Sequence, residues 1–230
     1  MNVDVEYRSV DRVHIEPIFS TPVGYYKFPE GLQEEFKNAI RTAVKKPRAG
    51  ENNYKKNLYH FYQHAGEHLL EDNPEVEVFK EFDFFLKSAY KDYVMGVCGW
   101  NANPVPFVTD CWVNITKKGG SQVIHSHANS FVSGTYYVSM PEGAAPLVLT
   151  HTNLSANRPY IGFDQSDDTV FNATAHIVNC LEGHLVLWPS NIAHYTDTTT
   201  CDEPRVSVSM NFTPSVFTAG AYHYRVIRDS

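Results

Sequence analysis

Two short stretches of this chain hold the residue types for metal chemistry: His125-Ser126-His127, and His194 with Arg205 shortly after it. On a β-strand successive side chains point to opposite faces, so imidazoles at i and i+2 share one face. A single strand would present two nitrogen ligands to one ion, and His194 would add a third from a distant part of the chain. Neutral imidazole is a ligand for Fe, Zn, Ni and Cu. Three protein ligands with positions left open describe a reactive centre, since structural sites are usually closed by four. Arg205 opens the run Arg205-Val206-Ser207-Val208-Ser209-Met210-Asn211-Phe212. Its strict alternation predicts a strand with a polar face (Arg205, Ser207, Ser209, Asn211) and an apolar one (Val206, Val208, Met210, Phe212). If the apolar face packs on the main core, a metal with a small anionic ligand would give the polar face a purpose. The planar guanidinium of Arg205 suits a bidentate carboxylate, and Ser207 on the same face adds a hydroxyl.

The elements that must position these residues divide the chain in two. Residues 1–28 read as extended, ending in a strand over Gly24–Phe28. Leu32, Phe36, Ile40 and Val44 form a helical stripe, residues 47–56 a loop, and residues 57–70 a helix. Asp72-Asn73-Pro74 reads as a helix start, with Phe79, Phe82, Leu86, Ala89 and Tyr93 continuing the stripe to about Val97. After Trp100, β-branched and aromatic runs alternate with Gly, Pro, Asn and Asp clusters at 107–116, 122–127, 132–139, 146–151, 174–179, 184–188 and 204–213. Helices first and strands afterwards predict an α+β chain with a mainly β core of sandwich or barrel type. The 230 residues are expected to form one domain, with 1–100 as strand and helical support and 101–230 as the β core.

Composition narrows the function classes. A hydrophobic content of 43% supports a packed core. The net charge is −7, and the one short basic run, Lys45-Lys46-Pro47-Arg48, is no nucleic-acid footprint. No apolar run reaches membrane-spanning length, and the acidic first twenty residues are not expected to act as a signal peptide. Cys98, Cys111, Cys180 and Cys201 show no C-x-x-C spacing, which predicts reduced thiols and a cytoplasmic location. The sequons at Asn114, Asn153, Asn172 and Asn211 are then accidental.

In order and spacing, these segments resemble the Fe(II)- and 2-oxoglutarate-dependent oxygenases, most closely the prolyl-hydroxylase-like branch. His125-Ser126-His127 precedes the Tyr-bearing strand Ser133-Gly134-Thr135-Tyr136-Tyr137-Val138. Gly183-His184-Leu185-Val186-Leu187-Trp188-Pro189-Ser190 leads to His194, and the Arg205 strand ends in Asn211-Phe212. The opening Pro17 to Val23 also looks like the start of members of this group. The resemblance implies a double-stranded β-helix (jelly-roll, cupin-like) core with flanking N-terminal helices. It implies Fe2+ held by His125 and His194. It implies 2-oxoglutarate paired through its distal carboxylate with Arg205 and Tyr137, and touched at its other end by Asn114. The implied reaction uses molecular oxygen, releases succinate and CO2, and hydroxylates a small-molecule or peptide substrate.

One residue departs from that pattern. The usual triad is two His and one carboxylate, with the acid two residues after the first His; here that place is His127. His127 as a third imidazole ligand, His127 turned away, and a preference for another metal all fit the sequence. Two rival functions stand beside the oxygenase: a three-His cupin-type enzyme whose Arg205 binds the substrate's own carboxylate, and a non-catalytic module on the same fold. His60, His64 and His68, with Glu67 beside them, would line one face of the expected helix as a solvated or hydrogen-bonded set. His151 is a strand-end candidate for lining the pocket, and residues 152–173 are the candidate lid or substrate loop.

Overall fold

A computed structural model describes residues 20–45, 52–55, 57–100, 106–150, 169 and 173–227. β1 (Gly24–Lys27) leads into α1 (Glu30–Ala43), and β2 (Asn52–Lys55) pairs with β3 (Leu58–Phe61). α2 (Glu77–Lys91) runs on into a π-helical turn, Asp92–Val97. Then come β4 (Pro106–Thr116), β5 (Gln122–His125), β6 (Val132–Ser139), β7 (Leu147–Thr150), β8 (Ala175–Ile177), β9 (His184–Pro189), β10 (Ala193–Thr196) and β11 (Arg205–Pro214). β12 (Val216–Ala219) and β13 (Tyr222–Arg225) pair as a separate ribbon.

One sheet has the order β1-β9-β6-β11-β4-β3-β2 and the other β5-β10-β7-β8. From β4 to β11 the chain passes back and forth between the two sheets, which is the expected double-stranded β-helix. Strands far apart in sequence are thereby placed side by side.

The alternation of β11 sorts its side chains as the sequence requires. Val208, Met210 and Phe212 enter the main core with Phe36, Ile40, Phe79, Phe82 and Leu86 of the two helices. Phe28, Phe36, Phe82 and Tyr136 interlock edge-to-face or tilted, with ring centroids 4.2–5.9 Å apart. Each such ring removed from water contributes roughly 1.5–3 kcal/mol, so the helices brace the large sheet from outside. A smaller cluster of Tyr137, Leu147, Leu149, Val178, Val186 and Trp188 fills the space between the sheets. On the helix side of the large sheet Gly134 leaves room for its neighbours: a Cβ would stand 2.6 Å from Leu187 Cδ2 and 2.9 Å from Met210 Sδ.

Several expectations need correction. Residues 57–70 form no helix, because β3 pairs with β4 and the backbone then takes left-handed turns at Tyr62 (φ 68°) and Gly66 (φ 84°). Left-handed backbone at a bulky residue ends regular structure, and sheet pairing overrides the helical spacing of the three His. The loop expected over 47–56 includes strand β2 at 52–55. The second helix starts at Glu77, three residues after Pro74. β10 has no counterpart in the strands read from the sequence. His151, the segment 1–19 and most of 152–173 lie outside the described residues.

Candidate metal centre

β5 and β10 are antiparallel neighbours, and His125 and His194 are direct register partners. His127 lies two residues beyond His125, just past the end of β5, where its backbone N–H donates to Ser190 O at 3.0 Å. The three rings converge, with centroids 4.2 Å (His125–His194), 5.0 Å (His127–His194) and 5.3 Å (His125–His127) apart. One nitrogen from each lies within 4.8 Å of the others, the one such group of metal-ligating side chains among the described residues.

The second ring nitrogens explain why these three can act as ligands. His125 Nδ1 is 2.8 Å from Val123 O, His194 Nδ1 is 3.1 Å from Ile192 O, and His127 Nδ1 is 2.6 Å from Asn211 Oδ1. Each oxygen accepts a hydrogen bond from Nδ1–H, which fixes the tautomer and leaves the Nε2 lone pair for a metal. Burial pushes the His194 imidazole down to about 3, with the neighbouring His125 and His127 rings adding to the effect. At neutral pH it is an uncharged lone-pair donor, as metal binding demands.

The polar face of β11 completes the cavity. Arg205, Ser207 and Ser209 line it together with Asn114 and the three His. The inner cavity is narrow, about 70 Å³, and shares Trp112, Gln122, His125 and His127 with an outer vestibule of about 310 Å³. Arg205 is buried, with its guanidinium carbon 5.3 Å from the centre of the Tyr137 ring. Arg205 Nε, the Tyr137 hydroxyl and Trp188 Nε1 are buried with no hydrogen-bond partner among the described residues. Burial holds the Tyr137 phenol well above its ordinary value, partly offset by the Arg205 charge. Buried polar groups are normally satisfied, so unpaired donors beside a cationic fork fit a small anion. Nitrogen donors for a transition metal and a fork for a carboxylate make a donor set suited to a metal with an acidic co-substrate.

The remaining sequence candidates fall as follows. Tyr137 lies beneath Arg205 in the inter-sheet cluster, and it is not among the residues of the cavity wall. Asn114 is on the wall, but much of its hydrogen-bonding capacity is taken. Its Oδ1 accepts from Trp112 Nε1 at 3.0 Å and lies 2.6 Å from His60 Nδ1, while its Nδ2 donates to Ser209 Oγ at 2.9 Å. His60 therefore belongs to the cavity wall on strand β3, and does not form a helical face with His64 and His68. His68 is buried elsewhere, with Nε2 3.1 Å from Val108 O and Nδ1 accepting from Glu71 N–H. Trp112, Gln122 and Trp188 also line the cavity, and Asp110 the vestibule, with none of them a candidate from the sequence; strand alternation through Asp110, Trp112 and Asn114 is the signal for two of them.

Residues 110–211 match a family model described as "Putative 2OG-Fe(II) oxygenase". That match spans 102 of the 230 residues and includes His125, His127, His194 and Arg205. Solved structures show the same fold at low identity. The alpha-ketoglutarate-dependent epimerase SnoN from nogalamycin biosynthesis aligns at 10% identity and TM-score 0.59, covering 85% of this chain and 80% of its own. HygX from Streptomyces hygroscopicus, solved with nickel, 2-oxoglutarate and hygromycin B bound, aligns at 13% and 0.57, covering 85% and 84%. A Pseudomonas putida prolyl-4-hydroxylase aligns at 11% and 0.55, covering 85% and 94%. No curated protein matches the chain. Among the described residues, no helix is long and apolar enough to cross a membrane.

Proposed function

We propose that this chain is an Fe(II)- and 2-oxoglutarate-dependent oxygenase, a hydroxylase in which His125, His127 and His194 hold Fe2+ and Arg205 binds the distal carboxylate of 2-oxoglutarate. The observation that carries the reading is the set of three convergent imidazoles, each with Nδ1 committed to an oxygen, in a cavity whose wall includes Arg205. When bound, the iron and 2-oxoglutarate supply the oxidising chemistry: with O2 the oxo-acid gives succinate and CO2, and one oxygen atom enters a substrate C–H bond.

The chain's own residues bind, orient and exclude water. The Nδ1 hydrogen bonds hold the three rings, so little reorganisation accompanies metal capture. Arg205 offers its fork with Nε still unpaired, and Tyr137 offers an unpaired hydroxyl beneath it. Ser207 adds a hydroxyl on the same strand face, and the remaining amide hydrogen of Asn114 is available to the co-substrate. Trp188 walls the site, its ring 5.1 Å from that of His194. The vestibule beside His125 and His127 would admit the small-molecule or peptide substrate, and four free cysteines are consistent with a cytoplasmic setting.

The imidazole at position 127 supports a second reading, a three-His enzyme without an oxo-acid. Thermal unfolding of metal-stripped protein with Mn(II), with and without 2-oxoglutarate, separates the two, because a ligand of the folded state raises the midpoint. A metal-dependent rise with 2-oxoglutarate, absent with glutarate, is expected. A rise with Mn(II) that 2-oxoglutarate does not extend would shift the assignment to the second enzyme.

A further inference from the structure

A site of two imidazoles and one carboxylate gives a divalent ion one negative charge, whereas three neutral imidazoles give none. A replacement is built into the sheet beside His127. Asn211 Oδ1 lies 2.6 Å from His127 Nδ1, and Asn211 Nδ2 donates to Asp110 Oδ2 at 3.0 Å. Thr109 Oγ1 donates to the same carboxylate oxygen at 3.1 Å, and Ser133 Oγ donates to Asn211 Oδ1 at 3.1 Å. Asp110 and Asn211 are direct partners across β4 and β11. A carboxylate stands two hydrogen bonds from the imidazole that occupies the usual carboxylate position.

The chemistry of the chain has one direction. An ionised carboxylate only accepts, so Asn211 must turn its amide nitrogen toward Asp110 and its oxygen toward His127. That oxygen requires a proton on His127 Nδ1, which leaves Nε2 bare. Hydrogen bonds in series polarise one another, so the charge of Asp110 makes the Asn211 oxygen a stronger acceptor and the imidazole a stronger donor to a metal. Among the described residues no Lys or Arg forms an ion pair with Asp110. Its charge is therefore free to balance a cation in the site.

We infer that Asp110 is a positioning residue of the metal centre: through Asn211 it sets the Nδ1–H tautomer of His127 and supplies, at one remove, the negative charge that a carboxylate ligand would bring. This rests on His127 being a ligand. Mn(II) affinity is measured at pH 8 by electron paramagnetic resonance on the full chain as wild type, Asp110→Asn, Asn211→Ser, His127→Asp and the double variant Asp110→Asn/His127→Asp. Metal-free unfolding midpoints are taken in parallel. Asp110→Asn is expected to weaken Mn(II) binding tenfold or more, within the range for groups that orient metal ligands, with its metal-free midpoint within about 2 °C of wild type. In the His127→Asp background the same change is expected to cost less than about threefold, because the carboxylate then touches the metal itself. Nitrogen-15 spectra of metal-free wild type should show His127 protonated at Nδ1, and those of Asp110→Asn a mixture of tautomers. Equal Mn(II) affinity of wild type and Asp110→Asn, or an equal loss in both backgrounds, would overturn the inference while leaving the three-His site intact. If Asp110→Asn does not fold, Asn211→Ser decides: tenfold weaker binding supports the relay and unchanged binding refutes it. A wild type that binds no Mn(II) would refute the three-His site and the relay together.

Discussion

His125 and His194 face each other as register partners across β5 and β10, with ring centroids 4.2 Å apart. They are almost seventy residues apart in sequence, yet a single antiparallel pairing fixes their separation. Loss of either ring leaves at most two convergent imidazoles. His125→Ala and His194→Ala are each expected to abolish tight Mn(II) binding, read by metal titration of the purified variants. Retained affinity in either would remove that residue from the ligand set.

Burial of His194 makes the stability of the metal-stripped protein depend on pH. Its folded value, about 3, lies below the ordinary 6.5, so the unfolded chain takes up the proton first. The contribution to stability is complete above about pH 6.5 and is lost progressively as pH falls toward 3. The slope is on the order of 1 kcal/mol per pH unit. The midpoint of metal-stripped wild type should fall across this window more steeply than that of His194→Gln, and parallel curves would show that His194 is not the group responsible.

His127→Asp places a carboxylate in the position the family pattern usually gives one. Metal affinity is expected to hold or rise, measured with Mn(II) or anaerobically with Fe(II). A variant indistinguishable from wild type in metal affinity and in spectroscopic signature would mean that residue 127 does not touch the metal.

Arg205→Lys keeps the charge and loses the fork. The dissociation constant for 2-oxoglutarate in the presence of Mn(II) should rise roughly tenfold, equivalent to about 1.4 kcal/mol. Isothermal titration checks it, and an unchanged constant would exclude Arg205 from carboxylate binding.

Tyr137→Phe separates packing from ligand binding. The hydroxyl has no partner in the buried cluster, so its removal should leave the metal-free midpoint unchanged or slightly raised. If the hydroxyl meets 2-oxoglutarate, affinity for the co-substrate falls severalfold in the same variant. Unaltered affinity would make Tyr137 a packing residue only.

Much of this was determined by the sequence alone, because the signals were local. The alternation from Arg205 to Phe212 sets which side chains share a face, and a strand has only two faces to offer. The i, i+2 spacing of His125 and His127 and the apolar stripe through Phe36 and Ile40 are local in the same way. Other features depended on partners far along the chain. The His60 segment has helical spacing, but pairing of β3 with β4 and a left-handed turn at Tyr62 make it a strand at the cavity wall. β10 is four residues long and acquires its strand conformation from β5 and β7 on either side. The register shift opposite Asn211 and Phe212 leaves Thr109 as an extra residue in β4. Val108 and Cys111 can then both enter the helix-side core, while Asp110 turns toward Asn211. No local pattern encodes that bulge; it arises from two strands a hundred residues apart that must satisfy one hydrogen-bond ladder and one packed core at the same time.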